Sequence, residues 1–176
     1  MALTRSDPLL LLLLLAFASL TASGATIVQE NCGRTLYPQL CISYLSQMPE
    51  SGSADAHHLA ELAIRAAAQV GTKTSTYISK VLNSALNDSM WQQCLNDCSE
   101  SYINAVAELD DSTGAMDEFA YADVNKFVNA AIGDTQTCEE ACRNSAFGEK
   151  ATLLKMNEEF GNLCKVILVL VNILPK

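Results

Sequence analysis

Seven cysteines carry most of the chemistry in this sequence: Cys32, Cys41, Cys94, Cys98, Cys138, Cys142 and Cys164. Cys94 and Cys98 are four residues apart, as are Cys138 and Cys142. That spacing puts each pair on one face of a helix. On two antiparallel neighbouring helices, facing positions share a constant sum, and Cys98 with Cys138 gives the same sum as Cys94 with Cys142. The spacing predicts two disulfide rungs one helical turn apart. The crossed pairing demands parallel helices, which a short connection forbids. Cys32 and Cys41 would staple a preceding hairpin, leaving Cys164 as a buried free thiol. Four thiolates around one zinc ion is the competing arrangement. An oxidising compartment favours disulfides over it.

The remaining candidates for chemistry are few. His57 and His58 are the two histidines. Adjacent residues of a helix diverge by about 100°, so the two cannot jointly grip a metal, and an exposed first turn is their expected place. Glu139-Glu140 and Glu158-Glu159 are carboxylate pairs. Acid/base catalysis sets carboxyls across a cleft, whereas neighbours on one helix form a solvated face. The sequence contains no Gly-rich phosphate loop, GxSxG or HExxH. These readings predict a protein that is not an enzyme and takes no cofactor or metal. Asn87-Asp88-Ser89 is a glycosylation sequon in a predicted loop.

The elements that must hold the cysteines follow from apolar periodicity. From His58 to Leu86, steps of three and four through Leu59, Ala63, Ala66, Val70, Tyr77, Val81 and Ala85 mark one long amphipathic helix. Ser53 precedes it and Asp55 supplies an acidic first turn or a cap. A second helix runs from Met90 to Leu109, and Asp110-Asp111-Ser112-Thr113-Gly114 reads as the next break. A third begins near Asp117, is weakened at Gly133 and resumes through Cys138 and Cys142. A fourth spans about Thr152 to Leu174. Helices of similar length with short joins make an all-α, up-down-up-down four-helix bundle. Before it, Thr26 to Met48 holds two short helical stretches, with Pro38 suited to the first turn of the second.

The N-terminus reads as an address. Arg5, the run Leu9 to Leu15, and small residues from Ala22 to Ala25 make a secretory signal, cut after Gly24 or Ala25. The run is shorter than the roughly 20 residues a membrane span needs; a retained anchor is the alternative. Leu163 to Leu174 is interrupted by Lys165 and Asn172 and reads as a buried helix, with a lipid-anchor tail as its alternative. The expected organisation is a signal at 1–24, a disulfide-stapled helical hairpin at 25–52 and the bundle at 53–176. Of the 176 residues 49% are hydrophobic, enough for one buried domain. The net charge of -9 argues against nucleic acid and anionic membrane as partners and suits a basic protein.

The pattern of Cys32, Tyr37-Pro38-Gln39-Leu40-Cys41, Asp97-Cys98, Glu100, Tyr102, Ala105, Tyr121, Val124, Asn125, Ala130-Ala131, Asp134 and Thr137-Cys138 resembles the plant invertase and pectin methylesterase inhibitor family. The resemblance covers essentially the whole chain after the signal. It implies a helical hairpin before a four-helix bundle, with disulfides of the types Cys32–Cys41 and Cys98–Cys138; a Cys94–Cys142 rung departs from the common pattern. It also implies a secreted apoplastic inhibitor that plugs the cleft of a cell-wall carbohydrate enzyme. Two targets compete: pectin methylesterase, a carboxylesterase of methylated polygalacturonate, and acid invertase, which splits sucrose. Invertase inhibitors of the well-understood type carry Pro-Lys-Phe near the start of the third bundle helix, where this chain has Tyr121-Ala122-Asp123. The stretch Tyr121 to Ala131 resembles the pectin-esterase side, including a pollen-type branch. Glu100, Asp123, Asn125 and Thr137, exposed polar positions of helices two and three, are the candidate contacts, and each also reads as an ordinary surface or capping residue. A non-inhibitory secreted bundle, structural or signalling, is the reading of another class.

Overall fold

Four long helices obey the apolar repeat of three and four, and a short N-terminal hairpin precedes them. The structure is a computed structural model that describes residues 27–84, 89–144 and 149–175. Residues 27–32 (α1) and Pro38–Leu45 (α2) form the hairpin, tied by the Cys32–Cys41 disulfide and followed by a 3-10 turn at Pro49–Ser53. The bundle helices are α3 (Ala56–Ser84), α4 (Ser89–Asp117), α5 (Tyr121–Ala141) and α6 (Lys150–Asn172). Each packs on the next, and α6 closes the ring against α3. The signal segment and the Asn87 sequon lie outside the described residues.

Helix starts follow local chemistry. Pro38 opens α2, where its missing N–H costs nothing. Asp55 caps α3, its carboxylate accepting the His58 backbone N–H at 2.8 Å. The seam of the bundle is filled by Trp91, Tyr102, Phe160, Leu95, Leu109 and Ile167, all fully buried. Gly71 on α3 makes the room that Phe160 needs: a Cβ there would stand 2.9 Å from Phe160 Cε2 and 3.0 Å from Val106 Cγ2. One polar link crosses the core. The Tyr102 hydroxyl donates to Asn157 Oδ1 (3.1 Å), and Asn157 Nδ2 donates to the Thr135 carbonyl (2.9 Å). Both side chains are buried, so each satisfies a group that would otherwise be desolvated without a partner.

Two boundaries differ from the sequence reading. The polar run Asp110–Gly114 is not a break; α4 continues through it to Asp117. Its stripe extends from Leu109 through Ser112, fully buried, to Met116, and Ser112 and Thr113 bond back to the carbonyls of Glu108 and Leu109. The third bundle helix accordingly starts at Tyr121 and passes through Gly133 without interruption.

Candidate functional site

The turn between α4 and α5 closes in an unusual way. The Ala120 N–H bonds to the Ala115 carbonyl (2.8 Å) and the Phe119 N–H to the Met116 carbonyl (2.9 Å). This pair of bonds is a Schellman ending, which places its penultimate residue in the left-handed region, where glycine is the usual occupant. Here that residue is Phe119, at φ 56°, the one non-glycine residue with positive φ among those described. A side chain in this conformation costs roughly 1–2 kcal/mol. The ring is not tucked away in return: Phe119 is 66% exposed.

Two rings hold Phe119 up. The His57 ring lies 4.7 Å from it, centroid to centroid, and Tyr121 stands edge-on at 6.3 Å. His57 is fixed at both nitrogens, with Nδ1 at 3.1 Å from the Tyr121 hydroxyl and Nε2 at 3.0 Å from Glu61 Oε1. The tautomer protonated at Nε2 donates to Glu61 and accepts the Tyr121 hydroxyl. His58 Nδ1 reaches the other oxygen of Glu61 at 2.7 Å. The histidines do occupy the first turn of α3, but they are half-buried supports, not exposed ones. Beside Phe119, an apolar groove of about 560 Å³ runs between Tyr121 and Ala122 on one side and Val171, Leu174 and Pro175 on the other.

The tip is acidic. Asp117, Glu118 and Asp123 flank Phe119, all exposed. Asp123 lies in the first turn of α5, where the helix dipole favours it. Asp117 and Glu118 sit at the carbonyl end of α4, where the dipole disfavours them. No Lys or Arg occurs anywhere between Lys80 and Lys126, so the whole of α4 carries six acids and no cation. This field extends to α5: Asp134 has its carboxyl pushed up, first by burial and then by Glu108.

Two disulfides lock the start of α4 to the end of α5, at the end of the helix pair away from the tip: Cys94–Cys142 and Cys98–Cys138. The sulfurs of Cys98 and Cys142, on different rungs, are 3.4 Å apart, and all four cysteines are fully buried. Cys164 is free and buried within the bundle, and burial pushes its thiol up to about 12. The hairpin is anchored at the opposite face. The Tyr44 hydroxyl donates to Glu159 at 2.6 Å, and burial followed by this carboxylate holds the phenol well above its usual range. Glu159 is thus half-buried and engaged, while Glu139, Glu140 and Glu158 are exposed.

The four candidate contacts do not form one cluster. Asp123 is exposed beside the tip. Asn125 is turned into the α5–α6 seam: its Nδ2 donates to Asn172 Oδ1 at 3.1 Å, and its buried Oδ1 receives no donor. Thr137 lies about 21 Å along α5 from Asp123 at 1.5 Å per residue, its hydroxyl donating to the Gly133 carbonyl at 3.1 Å. Glu100 is exposed near the rungs, two residues from Cys98. Phe119 was missed by sequence reasoning, because nothing in a local window marks an aromatic residue as a left-handed helix ending.

Residues 26–170 match the family model described as plant invertase/pectin methylesterase inhibitor. The chain belongs to this family. The relatives and solved structures that it matches over most of their length are inhibitor proteins, not catalysts. The chain is 32% identical over 140 residues to the cell wall / vacuolar inhibitor of fructosidase 2 of Arabidopsis thaliana, covering 77% of this chain and 76% of that protein. It is 28% identical over 171 residues to the pectinesterase inhibitor of Actinidia deliciosa, covering 94% and 91%. Its fold is that of a mutant form of a pectin methylesterase inhibitor from Arabidopsis, with a TM-score of 0.72 at 21% identity over 82% of this chain and 95% of that one. For an inhibitor of this family, the α4–α5 tip has the properties of an anchor. It is an exposed aromatic side chain, held by packing and hydrogen bonds, on a hairpin stiffened by two covalent rungs.

Proposed function

We propose that this inhibitor acts on pectin methylesterase, seating the Phe119 tip in the enzyme's cleft. The observation that carries this reading is the charge around Phe119. A glycosidase such as invertase is built around paired carboxylates, and the Pro-Lys-Phe motif of invertase inhibitors brings a cation to the position occupied here by Ala122. This tip brings Asp117, Glu118 and Asp123 instead. Such a tip is repelled by paired carboxylates. It is attracted to a cleft that releases polygalacturonate carboxylates from their methyl esters, because an enzyme that holds the polyanionic product presents positive potential. Acid invertase is the second reading, favoured by the 32% identity to a fructosidase inhibitor.

In this reading Phe119 supplies the buried anchor. The double rung keeps the ordering cost of docking low. Glu100 and Asp123 steer the encounter, Thr137 lies at the distal edge of the same helix pair, and Asn125 sets the α5–α6 seam beneath the contact. The chain is secreted and acts in the cell wall, its mature form beginning after Gly24 or Ala25. The test is an inhibition titration of a pectin methylesterase with wild type, Phe119→Ala, Ala122→Lys and Asp123→Asn/Glu100→Gln. Phe119→Ala should weaken inhibition more than tenfold, as for a central aromatic anchor. Ala122→Lys should weaken it too, and the neutralised pair should slow association mainly at low salt. Inhibition unchanged by Phe119→Ala contradicts the tip as anchor.

A further inference from the structure

A second surface lies on the other side of α4, away from the α4–α5 rungs. Between α3 and α4 runs a groove of about 540 Å³. Its floor is Ala68 on α3 with Val106 and Ala107 on α4, and Ile103 stands at one end, 64% exposed. Ile103, Ala107, Asp110 and Asp117 follow the helical repeat along one face of α4, which gives the groove a length of about 21 Å at 1.5 Å per residue. Nothing in the described chain covers Ile103.

The unpaired charges of the rim have one sign. Asp110 and Asp117 line it and form no ion pair among the described residues. Glu61, at the same end as Asp117, is held by the two histidines. The one cation of the lining, Arg65, is occupied by Glu50 at 3.0 Å. An apolar floor with an unpaired acidic rim along a straight helix pair is complementary to one kind of partner. We infer that this groove binds an amphipathic helix of about four turns from another protein, with aliphatic residues on its inner face and Lys or Arg along its edges. Ile103 fills a gap between the partner's aliphatic side chains. Asp110 and Asp117 pair with its flanking cations. The inference rests on the groove alone and holds whichever enzyme the tip inhibits.

The probe is a synthetic 14-residue Leu/Lys peptide with one aliphatic face, titrated into the full secreted protein and followed by amide chemical shifts. Its control is a scrambled peptide of the same composition. The largest shifts should fall at Ala68, Ile103, Val106 and Ala107, and the scrambled peptide should bind at least about tenfold more weakly. Ile103→Ser should weaken binding about tenfold at all salt concentrations. Asp110→Asn should weaken it mainly at low salt. Both variants alter exposed side chains, so circular dichroism should match wild type, and inhibition of the target enzyme reads the tip separately. Equal binding of the scrambled peptide, or shifts spread over all acidic faces, overturns the proposal. So does a wild-type dimer that Ile103→Ser dissociates, since the occupant is then a second copy of the chain.

Discussion

Removing the two rungs between α4 and α5 tests whether they act as one device. Cys98–Cys138 closes a chain segment of 40 residues and Cys94–Cys142 one of 48. In the chain-entropy account either one alone stabilises by about 4 kcal/mol. Once one is closed, the other closes only the short ring made of the two four-residue steps, worth about 2.5 kcal/mol. Cys94→Ala/Cys142→Ala and Cys98→Ala/Cys138→Ala should therefore each cost about 2.5 kcal/mol beyond the small void they leave. The quadruple variant should cost about 6.5 kcal/mol, on the order of the whole stability of many domains. The shortfall of the two single losses against the joint loss is then about 1.5 kcal/mol, and the void contributions cancel from it. Equilibrium urea unfolding followed by Trp91 fluorescence measures this, since Trp91 is the one tryptophan, fully buried on α4. Single losses that add up to the joint loss would show two independent links and refute the shared-loop argument. A first loss as large as the joint loss would show that one rung does nothing.

Three further outcomes follow from the packing. Phe119→Gly removes the strain of a side chain at φ 56° and should leave the thermal midpoint at or above that of wild type, with a gain of up to about 1 kcal/mol. The same variant should lose inhibition, which separates stability from docking in one pair of assays. Tyr102→Phe leaves the buried Asn157 Oδ1 without its donor and should cost about 1–3 kcal/mol in urea unfolding. The Cys164 thiol, pushed up by burial from 9 to about 12, stays neutral in the folded protein while the unfolded form ionises. Its contribution is intact below about pH 9 and falls toward pH 12 by up to about 1.4 kcal/mol per pH unit; Cys164→Ala should flatten that part of the stability profile.

The helices and their order were legible because α3 and α6 carry long apolar repeats that no other element satisfies. The cysteine positions carried the antiparallel order of α4 and α5, since a constant sum is a property of facing helices. The α4–α5 boundary was not legible. Asp110–Gly114 holds the residue types that usually end helices, yet buried Ser112 and the apolar pair Ala115-Met116 keep the stripe going. The real ending uses Phe119 where glycine is the ordinary signal, and its support comes from His57, more than sixty residues earlier. A contact that distant leaves no mark in any local pattern. Asn125 was singled out as a polar surface residue on the same grounds as Asp123. Only the α5–α6 packing separates them, turning Asn125 toward Asn172 and leaving Asp123 in solvent.

The most direct measurement is a side-by-side titration of pectin methylesterase and acid invertase with the purified protein at one pH and ionic strength. The acidic tip predicts stoichiometric loss of pectin methylesterase activity with invertase untouched. Stoichiometric loss of invertase activity with pectin methylesterase untouched would contradict the account, because three carboxylates around Phe119 would then be docking against a site built of carboxylates.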